Sequence, residues 1–161
     1  IDWPGQALKC SFPHQYLQTM ARIKLDLPES FTFSTEIPIY IGHINYGHHL
    51  DNAQLISLVS EARVRYFKSM GYSELDVEGV GIVVADVAAQ YRSEAFHGET
   101  LRVDMTANDF NKYGCDLVWR LSDQATGREV ARGKHGIIFF DYTARKATSV
   151  PPAFVAKAQQ A

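Results

Sequence analysis

The sequence predicts an α+β domain in which an antiparallel sheet of about five strands wraps around one long central helix. Three observations predict it. A strongly apolar helical stretch occupies the middle of the first half, a strand-like segment precedes it, and alternating segments joined by short turns follow it. A strand, one long helix and then four antiparallel-type strands can bury their apolar faces by layering one sheet on one helix.

The chain of 161 residues fits one domain, divided here into an N-terminal extension (1–30) and the α+β domain (31–161). At this size a fold buries roughly 70% of its unfolded surface, so a core forms without staples. Pro4, Pro13 and Pro28 punctuate the extension, and Gln15 to Leu27 reads as a short helix with Leu17, Met20, Ala21 and Leu25 on one side. Phe31 to Tyr40 reads as a strand, with Pro38 pointing to a sheet edge or a bulge. A polar loop follows, Gly42-His43-Ile44-Asn45-Tyr46-Gly47-His48-His49.

Asp51 or Asn52 is a fitting N-cap for a helix running to about Met70. Leu55, Ile56, Leu58, Val59, Ala62, Tyr66 and Phe67 cover a wide apolar face, so the helix is expected to be largely enclosed, with Arg63, Arg65 and Lys68 leading to water. Gly71 stands where a C-cap glycine belongs. Everything after Gly79 reads as strands. Gly81 to Phe96 is a long Val- and Ala-rich run closed by His97-Gly98-Glu99. Leu101 to Ala107 and Cys115 to Leu121 alternate, and Glu129 to Tyr142 follows the Ala125-Thr126-Gly127 turn.

Composition narrows the function classes. A formal net charge of −2 argues against a protein held by nucleic-acid phosphates or an anionic membrane. No apolar run reaches the roughly 18 residues of a membrane helix. No basic n-region precedes an apolar stretch, so no signal peptide is expected, and the start at Ile1 reads as a processed N-terminus. Cys10 and Cys115 make no disulfide framework, which favours a reducing, cytoplasmic setting. His43, His48 and His49 match no standard zinc spacing. Neither a metal nor an organic cofactor is expected, and Cys115, alternating with apolar partners, reads as core.

Several stretches together resemble the hotdog-fold acyl-CoA thioesterases, in the 4-hydroxybenzoyl-CoA thioesterase-like branch. They are Ile44 to Asn52, Ser60-Glu61-Ala62-Arg63-Val64-Arg65-Tyr66-Phe67, Gly71-Tyr72-Ser73-Glu74-Leu75, Tyr91 to Phe96 with Gly98-Glu99, and Phe139-Phe140-Asp141-Tyr142. The resemblance runs from about Phe31 to Phe154. It implies hydrolysis of an acyl-CoA thioester and a homodimer or homotetramer whose sheets join edge to edge. Many members place a catalytic Asp in the loop before the helix, and counting back from Glu61-Ala62-Arg63 puts Asn45 there. His43 falls where a related subgroup has another Asp, and His48 replaces a glycine.

Thioester hydrolysis needs a polarised carbonyl and an activated water. Backbone N–H groups from Tyr46 through Gly47 and His48 to His49, aided by the helix dipole, are expected to polarise the carbonyl. An Asn orients water or donates to an oxyanion but takes no proton, so the base is sought first at His49, then at Glu61, then at Asp51. Glu61 lies about three turns into the helix, where a partly buried carboxylate would have a raised pKa. The simpler roles are a helix cap for Asp51, an ion pair with Arg65 for Glu61, and backbone-bonded loop histidines for His48 and His49. Arg63, Arg92, Arg132 and Lys134 are candidates for the phosphates of coenzyme A. Two other functions are compatible with the sequence. One is a non-catalytic acyl-CoA- or acyl-binding protein, favoured by Asn45; the other is an enoyl-CoA hydratase or dehydratase, of which Gly42-His43 is a loose echo.

Overall fold

The computed structural model describes residues 23–160. The expected helix over Gln15 to Leu27 lies mostly outside them, and its described part, residues 23–27, has no regular secondary structure. Cys10 also lies outside the described residues.

Strand β1 (Phe33–Pro38) leads into a short 3-10 turn, Ile41–His43, and then helix α1 (Asn52–Ser69). Strands β2 (Gly81–Tyr91), β3 (Thr100–Asn108), β4 (Gly114–Asp123) and β5 (Glu129–Asp141) follow. A two-residue strand β6 (Lys146–Ala147) pairs with β5, and the chain closes with helix α2 (Pro152–Gln160). The sheet is antiparallel in the order β1-β3-β4-β5-β2. Pro38 is the last residue of an edge strand, where its missing N–H breaks no interior ladder.

The alternation anticipated for β3 and β4 sends Leu101, Val103 and Met105, and Cys115, Leu117, Trp119 and Leu121, to one face, where all are buried. Helix α1 packs on that inner face through Leu55, Leu58, Val59, Ala62, Tyr66 and Phe67. Trp119 lies across β5 at Gly133, where a Cβ would come within 2.2 Å of the indole and 2.4 Å of the Ala88 carbonyl. Only glycine lets the ring and β2 close over that point. The outer face is polar: Arg120 opposes Arg132, and Lys134 opposes Val118. Residues 23–32 cross this outer face, with Arg132 donating to the Leu25 carbonyl, Arg120 over the Phe31 ring, and Thr32 bonded to Thr106.

Three expectations are corrected. Strand β2 ends at Tyr91 rather than Phe96. The N–H groups of Arg92 and Ser93 both go to the Val130 carbonyl, and Leu50 N–H takes the Ala95 carbonyl, so residues 92–95 leave the ladder and turn toward the loop before α1. The last segment is helical, not extended. Pro152 suits a first helical turn, and Phe154 and Ala158, four apart, bury one face. Phe154 stacks on Phe67 at 5.6 Å and meets Phe139 edge-on at 5.2 Å. Finally, α1 is enclosed on its sheet side only, with Glu61, Val64 and Lys68 exposed, and Arg63 does not lead to water. It is 8% exposed, because Glu74 from the loop after α1 and His135 from β5 both meet its guanidinium.

No helix among the described residues is long and apolar enough to cross a membrane.

Candidate active site

Asp51 ends the loop and starts the helix. Its Oδ1 accepts from the N–H groups of Ala53 at 2.8 Å and Gln54 at 3.2 Å. The helix start is fixed there, and the five residues before it fold back on themselves. Asn45 N–H donates to the His49 carbonyl, and His48 N–H to the Asn45 carbonyl. Asn45 Oδ1 accepts from Gly47 N–H at 2.8 Å. His48 adopts a φ of 65°, the left-handed region that glycine enters most readily.

This hairpin brings Asn45 and His49 onto the wall of a cavity of about 310 Å³. Leu50, Asn52 and Leu55 continue the wall along the start of α1. Tyr91 to Ala95 and Val130 close it from the sheet side. The turn of residues 92–95 away from β5 is what opens this space.

The hydrogen bonds assign the groups their states. His49 Nδ1 lies 3.2 Å from the Leu50 carbonyl oxygen, which only accepts, so this contact is made by the tautomer with its proton on Nδ1. In that tautomer Nε2 keeps the lone pair, and Asn45 Nδ2, 3.5 Å from the same Nδ1, is left to donate elsewhere. Gly47 sits under the imidazole: a Cβ there would lie 2.9 Å from His49 Nε2 and 3.2 Å from Asn45 Oδ1.

Of the residues read from the sequence, Asn45, His49 and Arg92 line the cavity, and Gly47 supports the first two. The others do not. Asp51 is the helix cap, and its carboxylate occupies the helix N-terminus. Gly47 and His48 N–H are spent on Asn45. The backbone polarising site expected there is thereby reduced to the N–H groups of Tyr46 and His49, with the Asn45 side-chain amide beside the His49 ring. Glu61 is half exposed and paired to Arg65 at 2.7 Å. It stands about 14 Å along the helix from its start, so it is neither buried nor near His49. Tyr46 is fully exposed, and His48 is exposed. Neither lines the cavity. Arg63 is buried on Glu74, while Arg132 and Lys134 lie on the opposite face of the sheet, paired to Glu129 and Asp116.

His43 is engaged locally, its Nδ1 accepting from Tyr40 N–H at 3.1 Å. Among the described residues no group of three His, Cys, Asp or Glu side chains is placed to hold a metal ion. Burial pushes the Cys115 thiol up to about 12, which keeps it from acting as a nucleophile near neutral pH.

The structure adds residues that the sequence reading had not picked as site groups. Glu94 is the one carboxylate lining the cavity among the described residues. Beside it Arg92, already a candidate from the sequence, is half exposed and approaches Glu129 at only 3.8 Å, while Arg132 holds that carboxylate at 2.6 Å. Tyr91 donates from its hydroxyl to the Asn52 carbonyl at 3.0 Å, bridging the end of β2 to the first turn of α1. Their signal was the stretch Tyr91 to Phe96, whose alternation masked its departure from the sheet.

The sequence pattern of the thioesterase-like superfamily matches residues 39–158. Among curated proteins no sequence matches the chain. Solved structures share the fold. A 1,4-dihydroxy-2-naphthoyl-CoA thioesterase from Synechocystis superposes with a TM-score of 0.72 at 15% identity, over 80% of this chain and 96% of that one. The PA2801 protein from Pseudomonas aeruginosa gives 0.72 at 22% identity, over 79% and 98%. YbaW from Escherichia coli gives 0.65 at 18% identity, over 79% and 96%. With the superfamily pattern spanning the loop, α1 and strands β2 to β6, the chain belongs to the thioesterase-like superfamily and has its hotdog fold.

Proposed function

We propose that the chain hydrolyses an acyl-CoA thioester to a free acid and coenzyme A, with His49 as general base and Asn45 as oxyanion donor. The observation that carries this reading is the pairing of Asn45 and His49 on one cavity wall, with His49 Nδ1 3.2 Å from the Leu50 carbonyl oxygen, a contact that favours the tautomer whose Nε2 is the basic nitrogen. Water attacks the thioester carbon while Nε2 takes its proton. The carbonyl oxygen becomes an oxyanion and accepts from Asn45 Nδ2–H. Collapse breaks the C–S bond, and the departing thiolate takes the proton back from Nε2. Asn45 cannot do the work of a carboxylate base, so the imidazole four residues later does it.

Arg92 at the cavity wall suits the phosphates of coenzyme A, since its partner Glu129 is already held by Arg132. The same reading takes the protein as a homodimer joined along β2. That strand is eleven residues long, ends the sheet, and exposes Val84 and Val87.

The test is thiol release from short, long and aromatic acyl-CoAs by the wild-type protein and by Asn45→Ala, His49→Ala, Glu94→Gln and Glu61→Ala. His49→Ala is expected to lose about 10²–10⁴-fold in rate and Asn45→Ala about 10²–10³-fold, while Glu61→Ala keeps its rate. A His49→Ala rate equal to wild type, with loss in Glu94→Gln, moves the base to Glu94. Tight acyl-CoA binding without release of thiol from any substrate replaces the enzyme with a binding protein.

A further inference from the structure

We propose that Tyr91 sets the acyl length this site accepts, by standing between the cavity and a longer trough; the inference rests on the thioesterase reading above. The cavity ends at Leu55 on α1 and at Tyr91 on β2. The two elements run on side by side past that point. On α1, Asn52, Ile56, Ser60 and Arg63 follow one another at helical spacing along a single shoulder. On the facing side of β2, Tyr91, Ala89 and Val87 point the same way, in register with Ala131, Gly133 and His135.

Two contacts show that these rows run side by side. Tyr91 Oη reaches the Asn52 carbonyl at one end. At the other, Arg63 Nη1 lies 3.0 Å from Nδ1 of His135, the residue paired with Val87. Eleven helical residues separate the ends, about 16 Å. The far part is uncovered: Val87 is 46% and Val84 39% exposed, although both stand on the inner face. Ala89 is paired with Gly133, over which the Trp119 indole lies, so the floor there is apolar. Pairing along the β2 edge would use backbone groups in the plane of the sheet and leave these side chains lining a slot.

An acyl group held with its carbonyl at Asn45 and His49 therefore fills the cavity and meets the Tyr91 ring. Short chains and single rings fit without disturbing it. A longer tail enters the trough only when the ring swings away and the bond to Asn52 breaks. Beyond Tyr91 the walls are Ile56, Ala89 and Val87, which suit a straight alkyl chain, and the end is the Arg63 and Glu74 ion pair.

The experiment compares kcat/KM for butanoyl-, octanoyl-, dodecanoyl- and benzoyl-CoA in the wild-type protein, Tyr91→Ala and Tyr91→Phe. The dodecanoyl-to-butanoyl ratio is expected to rise about tenfold or more in Tyr91→Ala. Tyr91→Phe, which keeps the ring and loses the bond, gives a smaller rise. A ratio is read because a merely structural defect lowers all substrates together. If Tyr91→Ala does not fold, Tyr91→Phe decides. Unchanged ratios in the folded variants overturn the gate alone. No thiol release by the wild-type protein from any of the four overturns the hydrolase reading, and the gate with it.

Discussion

His135 makes the protein acid-sensitive well above the range in which carboxylates titrate. It is 1% exposed, its Nδ1 accepts from Arg63 Nη1 at 3.0 Å, and its Nε2 has no partner among the described residues. Burial, with the Arg63 guanidinium adding to it, pushes the imidazole down from 6.5 to about 4. Above pH 6.5 the ring is neutral in both the folded and unfolded chain and the fold has its full stability. As the pH falls, the unfolded chain takes the proton first, so stability drops between pH 6.5 and about 4, and this group adds no loss below that. At 1.36 kcal/mol per unit the drop is about 3 kcal/mol, a large fraction of a typical domain's stability. The assay is urea unfolding at a series of pH values in wild type and His135→Gln, whose amide oxygen still accepts from Arg63 but does not titrate. The variant should lose about 2–3 kcal/mol less than wild type between pH 7 and pH 4. Parallel pH profiles for the two proteins would refute the assignment.

Two further substitutions probe the loop. Gly47→Ala puts a Cβ 2.9 Å from His49 Nε2. The clash is with the tip of a side chain, so the melting temperature should change little while the imidazole rotates and thiol release falls about tenfold or more; an unchanged rate would show that the ring position is immaterial. Asp51→Ala removes the cap that holds Ala53 and Gln54 N–H and should cost about 1 kcal/mol by thermal unfolding. Asp51→Asn, which keeps an acceptor oxygen, should restore both stability and rate. Loss of activity in a stable Asp51→Asn protein would instead return the carboxylate to the chemistry.

The elements of this fold are written locally. Strict alternation placed Leu101 to Ala107 and Cys115 to Leu121 in strands because a half-buried sheet repeats every two residues. Asp51 and Gly71 marked the two ends of α1, since a cap and a left-handed exit are properties of single residues. Asn45 and His49 were legible as a pair for the same reason: four residues apart in one loop, they depend on no distant partner. Missed elements were those in which local signals competed. The Pro-led helix at 152–160 carries only two buried positions, and Phe154 declares itself only by stacking on Phe67.

Tertiary structure decided which polar residues meet. Glu61 and Arg63 are two apart on one helix, yet a turn of 100° per residue sends one to solvent beside Arg65 and the other into a buried contact with Glu74 and His135. Nothing in the order of residues distinguishes them until the sheet lies beneath. The cavity likewise depends on chain-distant hydrogen bonds, Leu50 to Ala95 and Arg92 and Ser93 to Val130, that pull one strand end across to a loop forty residues earlier. By itself the sequence determined the strands, the helix and its caps, and the loop that carries Asn45 and His49, because these follow from spacing and backbone preference. Only packing decided that Tyr91, Arg92 and Glu94 share a wall with them, because burial and charge pairing are settled between elements, not along one.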